Sequence, residues 1–317
     1  GRKGAMTTYV LRRLLLVLPT LIGVSIVTFS FVRLLPGDAV TAMATDFETD
    51  LDTLRRELGL DMPYHKAYLT WLLAVAQGDF GVSLRDRQSV SRGVVQHLPT
   101  SIELGLLATA ISVVIALPVG VLAAVAQQSP LDYIARVIAT LLTAVPFFWT
   151  AVLILAWASI WFGWSPPTDY RQLWQDPLGN LQQMFLPARV LGTAIMGVLM
   201  RVTRTEMLEV YRQDYIRTAR AKGLQTSHVV VRHALRNALL PIVTVIGLQV
   251  PLLIGGAVIA ETLFVLPGMG RYIYNALNHR DYPIVQAATL LIALTVSLSN
   301  LAVDVLYSYL DPRVRLR

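Results

Sequence analysis

Long uncharged segments dominate the hydrophobic pattern of this chain. Residues 14–32, 104–130, 137–164 and 238–260 each run for at least 18 residues without a charge, and residues 284–303 are also uncharged. Because about 20 apolar residues in a helix cross the roughly 30 Å hydrocarbon core of a bilayer, the pattern predicts that these five segments span a membrane.

A sixth, shorter span is predicted at residues 185–200, which include Arg189. Lys and Arg stay on the cytoplasmic side of a membrane, whereas acidic residues matter little. With the N-terminus inside, the inner segments hold 16 basic and 5 acidic residues, and the outer segments hold 10 basic and 12 acidic residues. Both termini are then cytoplasmic, which requires an even number of spans. The inner segments are 1–13, 127–136, 201–237 and 308–317, and the outer ones are 33–100, 163–184 and 263–283.

Composition supports a multi-pass membrane protein. Of 317 residues, 55% are apolar and 15% charged, against about 25% charged in soluble proteins. This excludes disordered, collagen-like, disulfide-stapled and ordinary soluble classes. Cysteine is absent, which removes disulfides, thiol catalysis and thiolate metal sites. The net charge of +7 follows from the basic inner segments and indicates anionic lipid and protein partners rather than nucleic acid. Residues 1–5 are expected to be a cloning remnant, with Met6 the natural start.

The outer segment 34–100 has a helical pattern of its own. Leu51, Leu54 and Leu58 recur at helical spacing, and residues 69–76 indicate another short helix. Turn signals stand at residues 35–38 and 78–81. We expect a small external cap of short helices; the alternative is a connecting loop without a role.

Small residues and prolines mark helix contacts within the spans. The second span carries a ladder of small residues at i+4 spacing. The fifth span has the same spacing at Gly247, Pro251 and Gly255, beside Gly256. Small faces let helices approach closely in lipid, so the prediction is packing either within one bundle or against a second chain. Four prolines are expected to kink the spans. The ladder is Ala108, Ser112, Ala116, Gly120 and Ala124, and the prolines are Pro19, Pro118, Pro146 and Pro251.

Polar residues in the spans are few. Ser297, Asn300 and Asp304 form one stripe on the last span, which is either a subunit contact or an interfacial group near enough to the surface to hydrate. Glu261 ends the fifth span on the outer side. A carrier driven by protons or sodium usually needs several intramembrane acids or unwound midplane segments, so this nearly neutral interior argues against one.

The sequence contains none of the nucleotide-binding or metal-binding motifs considered below. No lysine is followed by Ser or Thr, as the phosphate loop requires. No H-E-x-x-H is present, His228 and His233 are expected on different faces of a helix, and residues 268–270 are expected to form a turn rather than a dinucleotide fingerprint. We therefore expect no enzyme activity, metal site or cofactor in this chain.

The inner segment 201–237 carries the densest charge. Leu208, Tyr211, Tyr215 and Ala219 follow helical spacing, and Gly223 is expected to end that helix. Thr226 or Ser227 is expected to cap a second helix that runs through residue 236. The pattern predicts a compact cationic knob, or alternatively an amphipathic segment on the lipid surface.

The same segment resembles the coupling loop of ABC importer permeases, in particular those of the dipeptide/oligopeptide (peptide/glutathione/nickel) branch. The matching letters are T-A-R-A-K-G at 218–223 and H-A-L-R-N at 233–237. In the general pattern E-A-A-x-x-x-G, Arg217 stands in place of the glutamate. Further motifs match in order at residues 12–14, 35–38, 58–61, 78–81, 267–270, 280–283 and 311–313.

The resemblance implies an all-α, six-span type I permease fold in a bacterial inner membrane, with residues 101–317 as the core domain. Residues 6–33 would form the N-terminal segment and first span, and residues 34–100 the external helical segment. The implied partners are a second homologous permease, two cytoplasmic ATPase subunits that bind ATP and Mg, and an external binding protein that delivers a peptide-class substrate. Dipeptides, longer peptides, glutathione and nickel chelates all remain open as cargo. The alternatives are a secondary carrier and a membrane scaffold.

Three sets of site residues follow. The ATPase-coupling set is Tyr215, Arg217, Thr218, Ala219, Arg220, Ala221, Lys222, Gly223 and Leu224. The pathway or outer-gate set is Glu261, Phe264, Pro267 and Gly268. The subunit-packing set is Gly247, Gly255, Gly256, Asn300 and Asp304.

Overall fold

The computed structural model describes residues 2–34, 52, 55–56 and 61–310. Within these residues the regular structure is helical apart from one isolated antiparallel bridge between Val82 and Ser89. The sequence motifs at 35–38, 58–60 and 311–313, and the leucine spacing over 51–58, lie outside the described residues. The helices are α1 Arg2–Arg33, α2 Tyr64–Ala76, α3 Val90–Val125, α4 Pro130–Ala144, α5 Phe147–Phe162, α6 Pro177–Tyr211, α7 Asp214–Ala221, α8 Thr226–His228, the π-helix Val229–Leu235, α9 Arg236–Leu248, α10 Val250–Leu263, α11 Met269–Asn278 and α12 Tyr282–Leu310.

The predicted spans at 14–32, 104–130, 185–200 and 284–303 each overlap one apolar helix. The predicted span 137–164 falls on α4 and α5, and 238–260 falls on α9 and α10, so the prediction of one continuous helix over 238–260 is wrong. In the described residues four helical stretches are long and apolar enough to cross a membrane, and the bent pair of α4 and α5 makes a fifth. The apolar part of α1, Leu15–Phe31, and α10, Val250–Leu263, are shorter. The count of six spans stays a prediction. The four long stretches are Val90–Val125, Pro177–Tyr211, Thr226–Leu248 and Tyr282–Val305.

Two of the predicted proline interruptions are breaks and two are not. Pro146 stands between α4 and α5, whose axes differ by 92°. Pro251 lies in the first turn of α10, just after Gln249, which separates α9 from α10. Pro19 and Pro118 lie inside the continuous helices α1 and α3, so they do not divide these spans, and the expected kinks there stay predictions.

The chain divides into two compact units. The first contains residues 1–6, 101–266 and 299–317, and the second contains residues 7–100 and 267–298. In the first unit α6 is the central helix, because α4, α5, α9 and α10 all pack against it. In the second unit Phe29 of α1 contacts the rings of Tyr64, Tyr68 and Trp71 on α2.

The small-residue ladder of α3 packs inside the first unit. Ala108, Ser112 and Ala116 are fully buried. The Ser112 hydroxyl donates to the Gly192 carbonyl of α6 at 2.8 Å. A Cβ on Gly192 would stand 2.9 Å from the Ala108 carbonyl oxygen. The two helices therefore approach closely enough that their contact requires small residues, which is the packing of one bundle.

The candidate coupling segment and neighbouring sites

The segment that joins α6 to α9, residues 212–235, is here named the connector. Its first helix was expected to continue from Leu208 to residue 222, but α6 ends at Tyr211 and α7 begins at Asp214. The Gln213 amide donates to the Val210 carbonyl at 3.1 Å, and Gln213 itself is extended, with φ −74° and ψ 144°. The chain thus turns at residues 212–213, and the expectation of one continuous helix is wrong.

The end of α7 has the geometry that its glycine predicts. Gly223 has φ +77°, in the left-handed region that side chains disfavour. The Leu224 amide donates to the Ala219 carbonyl at 3.4 Å, and the Gly223 amide to the Arg220 carbonyl at 2.9 Å. The longer of these bonds is the six-to-one bond of a Schellman ending. A Cβ on Gly223 would meet nothing within 4 Å, so the requirement for glycine comes from backbone conformation alone.

One face of α7 is anchored and the other is open. Ile216 and Ala219 are buried in the core cluster of the first unit. The Tyr215 hydroxyl accepts from the Asn237 amide of α9 at 3.0 Å. The other members of the predicted coupling set are exposed: Tyr215, Arg217, Thr218, Arg220, Ala221, Lys222, Gly223 and Leu224. The structure therefore brings this set together on one short exposed helix and its C-terminal turn.

The connector and the start of α9 carry excess positive charge. Arg217 forms an ion pair with Asp214 at 3.5 Å. Among the described residues no carboxylate pairs with the other connector cations or with the first residue of α9. Those cations are Arg212, Arg220, Lys222, Arg232 and Arg236.

The second half of the connector differs from the expected capped helix. The N-cap of α8 is Gln225, without a side-chain cap, so neither Thr226 nor Ser227 is the capping residue. Val229–Leu235 is a π-helix, in which each turn holds more residues than in an α-helix. This brings the rings of His228 and His233, five residues apart, to 5.7 Å between centroids. The expectation that these histidines lie on different faces is therefore wrong.

A buried ion pair lies next to the connector, and the sequence pattern did not indicate it. Arg204 of α6 donates through Nε and one terminal nitrogen to Asp132 of α4, at 2.6 and 2.8 Å. The Asp132 side chain is 1% exposed, and it also accepts from the Gln128 amide at 3.1 Å. Ser129 caps α4 by accepting from the Asp132 amide at 3.4 Å. Nothing in the spacing of residues 132 and 204 marks them as partners.

The predicted outer-gate residues fall in both units. Glu261, near the end of α10, is fully buried and accepts from the Ser101 hydroxyl. Phe264 is 2% exposed and belongs to the core of the first unit. Pro267 and Gly268 belong to the second unit, where Gly268 is the extended residue that precedes α11. Met269 and Gly270 begin that helix, so residues 268–270 form a helix start rather than a free turn.

The predicted subunit-packing glycines have different surroundings. A Cβ on Gly247 would overlap Val303 of α12, and one on Gly256 would stand 2.7 Å from Leu191 of α6. A Cβ on Gly255 would meet no described residue within 4 Å. Gly247 and Gly256 therefore pack inside this chain, and Gly255 faces open space.

The polar stripe on α12 is accessible. Asn300 is exposed, while Ser297 and Asp304 are half-buried. The Ser297 hydroxyl donates to the Ala293 carbonyl at 2.8 Å. Arg189, inside α6, is also exposed.

The second unit contains a buried carboxylate that the sequence analysis missed. Asp281 is 2% exposed, and it accepts from the Ser83 hydroxyl at 2.5 Å and the Leu84 amide at 3.2 Å. Burial raises the pKa of Asp281, although these hydrogen bonds lower it in part. Burial, together with the charges of Asp281 and Asp86, raises the pKa of Tyr272 to about 12. The described residues contain no group of three or more His, Cys, Asp or Glu able to hold a metal ion.

Two family models match this chain over most of its length. The model "Binding-protein-dependent transport system inner membrane component" matches residues 116–316. Its N-terminal counterpart matches residues 6–105. The chain belongs to this family.

Curated relatives of this family member match nearly the whole sequence. The dipeptide transport system permease protein DppB of Escherichia coli (strain K12) is 41% identical, covering 98% of this chain and 99% of its own. The di/tripeptide transport system permease protein DppB of Pseudomonas aeruginosa (strain UCBPP-PA14) is 39% identical with the same coverage. The oligopeptide transport system permease protein AppB of Bacillus subtilis (strain 168) is 38% identical over the same shares.

A solved structure shows the fold. A chain from inward-facing conformations of the MetNI methionine ABC transporter superposes with a TM-score of 0.57 at 19% identity, covering 69% of this permease and 96% of that chain. The prediction of an all-α permease fold is confirmed. The relatives are transport permeases rather than enzymes, and family membership gives no support to a secondary carrier.

Proposed function

We propose that this permease is the translocation subunit of an ATP-driven importer of peptides or peptide-like solutes. The observation that carries the proposal is the connector: a short helix anchored by Ile216 and Ala219, with an exposed cationic face ended by a left-handed glycine. Relatives of 38–41% identity that are named as peptide permeases support the cargo class. Which peptide or chelate is carried is left to the external binding protein.

The connector is proposed to be the contact with two cytoplasmic ATPase subunits, which bind ATP and Mg. The proposed orientation places both termini and the connector in the cytoplasm of a bacterium, in agreement with the charge distribution of the sequence. The exposed coupling residues present mainly positive charge, so a docking cleft with acidic side chains is the expected complement.

Transmission into the membrane follows from chain continuity. The connector follows α6 directly, and its π-helix continues into α9 without a break. α6 is the central helix of the first unit. A displacement of α7 would therefore move α6 and the helices packed on it as one rigid body. We expect ATP and loaded binding protein to bias the same two-state equilibrium between inward-open and outward-open pathways.

The second homologous permease is proposed to pack against the open face of α10 near Gly255, with Asn300 and Asp304 of α12 as further contacts. Gly247 and Gly256 support this interface only indirectly, since they set the packing of α9 and α10 within the chain. Glu261, Phe264, Pro267 and Gly268 are proposed as the outer gate. Crosslinking from Glu261 that reaches neither substrate nor binding protein would remove that assignment.

Replacement of Gly223 tests the coupling proposal. Valine in the left-handed region strains the backbone without adding a clash. Gly163 is a matched control, since it has φ +61° and open space around it but ends α5. In Gly223→Val we expect membrane insertion to survive while uptake and binding-protein-stimulated ATPase activity are lost together. Gly163→Val should retain the stimulation. Normal uptake by Gly223→Val would reject the coupling role.

A further inference from the structure

A cleft of about 570 Å³ opens beside the connector. It is lined by the last turn of α3, the last turn of α6, and residues of α7 and α8. All of these belong to the first unit. A volume of this size lies within the range of ligand-binding pockets, roughly 300–1,000 Å³.

The polar wall of the cleft is cationic. Arg212 and Arg220 line it, and no acidic residue does. Neither arginine pairs with a carboxylate among the residues that the structure describes. The Arg220 guanidinium lies 5.3 Å from the centre of the Tyr211 ring. Two unpaired guanidinium groups facing one space form a fork for a phosphate or carboxylate.

The Tyr211 hydroxyl is a second, independent indication of a ligand. Tyr211 lines the same cleft. Its hydroxyl oxygen is buried and has no hydrogen-bond partner within the described part of the chain. A buried hydroxyl without a partner destabilises the folded chain. A rotation of the Tyr211 side chain that brings this hydroxyl into the cleft would let a bound anion accept its hydrogen bond.

The other wall is apolar and belongs to membrane helices. Ala124 and Val125 end α3, and Leu208 stands one turn before the end of α6. α3 is long and apolar enough to span a membrane, and Ala124 and Val125 stand near the end of its uncharged run, so this side of the cleft lies near the membrane surface. Basic pockets between transmembrane helices at that level bind the head groups of anionic lipids.

We propose that this cleft binds the phosphate of an anionic phospholipid. The phosphate lies between Arg212 and Arg220 and accepts from the Tyr211 hydroxyl, while the start of an acyl chain covers Val125 and Leu208. Free phosphate shares the polar contacts but leaves the apolar wall bare. Arg220 also belongs to the proposed ATPase-coupling set, so the site is tested on the permease without ATPase subunits. The choice of the inner leaflet rests on the orientation proposed above.

Native mass spectrometry of the full-length permease, released from nanodiscs of mixed phosphatidylcholine and phosphatidylglycerol, tests the site. We expect selective retention of one phosphatidylglycerol. Arg212→Gln/Arg220→Gln should reduce retention roughly tenfold or more, because two charge-assisted hydrogen bonds are lost. Tyr211→Phe should reduce it about fivefold. The matched control is Lys222→Gln/Arg232→Gln, which removes the same charge from exposed residues outside the lining and should retain the lipid.

Inorganic phosphate, titrated in pure phosphatidylcholine nanodiscs, distinguishes the two sources. Selective lipid retention without a phosphate-dependent shift in unfolding temperature supports the lipid head group. An equal shift by millimolar phosphate that the Arg212/Arg220 variant abolishes would overturn the lipid assignment in favour of a free anion. Equal loss of lipid from both double variants would overturn the site, since charge alone would then explain binding. Neither result depends on uptake, so both are separate from a failure of the coupling proposal.

Discussion

Arg204 and Asp132 form a two-pronged ion pair between α6 and the start of α4, with nitrogen–oxygen distances of 2.6 and 2.8 Å. Arg204 stands two turns before the end of α6, where the connector begins. The pair therefore fixes the loop between α3 and α4 to the helix that leads into the connector. A movement of the connector would carry this loop with it.

Breaking this pair should destabilise the permease. Arg204→Gln leaves the buried Asp132 carboxylate with fewer donors, and we expect a loss of about 1–3 kcal/mol. Arg136→Gln is the control, since Arg136 is 43% exposed and 3.6 Å from the same carboxylate; it should cost less than about 1 kcal/mol. The measurement is thermal unfolding in detergent. The exchange Asp132→Arg/Arg204→Asp should restore part of the stability, and equal losses in both single variants would contradict a specific pair.

The seam between α3 and α6 should tolerate no added methyl group. A Cβ on Gly120 would stand 2.8 Å from the Met200 carbonyl oxygen, and one on Gly192 would stand 2.9 Å from that of Ala108. Backbone atoms cannot move aside cheaply, so Gly120→Ala and Gly192→Ala should each cost about 1–3 kcal/mol. Gly255→Ala, in open space, should be neutral or slightly stabilising because alanine favours the helix. Unfolding in detergent compares the three.

Gly255 also allows a test of subunit packing. Gly255→Leu should leave the isolated permease as stable as the parent, because no residue that the structure describes lies within 4 Å of the added Cβ. If the second permease packs on this face, the leucine should reduce copurification of the two subunits. The volume-conserving control is Ile259→Leu, at an exposed position on the same helix. Undiminished copurification of Gly255→Leu would place the interface elsewhere.

The second unit should lose stability as pH rises through the pKa of Asp281. Burial raises this pKa in the folded chain, so the folded state binds the proton more tightly than the unfolded state. The contribution is fully present below the ordinary aspartate pKa and is lost as pH rises through the folded-state value. Asp281→Asn mimics the neutral carboxyl and removes this dependence. The measurement is the difference in unfolding temperature between parent and variant, followed from pH 3.5 to 7 in roughly half-unit steps. This difference should change only between the ordinary aspartate pKa and the raised folded-state pKa of Asp281.

The apolar segments and the left-handed end of α7 could be predicted because each depends on local pattern: apolar length for the spans, and one glycine at residue 223. The helix breaks at residues 212–213 and at Gln249 could not. The π-helix could not be predicted, because the amino-acid sequence of residues 229–235 is equally compatible with an α-helix. Its consequence, the approach of His228 to His233, was therefore missed. The pairing of Asp132 with Arg204 joins residues 72 apart in sequence, and only the packing of α4 on α6 reveals it.

Replacing the Glu261 carboxyl by an amide, which conserves the hydrogen bond from Ser101, should show whether Glu261 serves packing alone or also gating. Glu261 is fully buried and accepts from Ser101, and Glu261→Gln keeps an acceptor of the same shape. If the carboxylate serves only packing, uptake should follow stability, and Ser101→Ala should be as harmful as Glu261→Gln. If Glu261 belongs to the outer gate, Glu261→Gln should reduce uptake severalfold while unfolding temperature stays near that of the parent. Uptake by the purified complex in proteoliposomes, measured beside thermal unfolding, decides between the two, because a residue that serves only packing cannot change transport without changing stability.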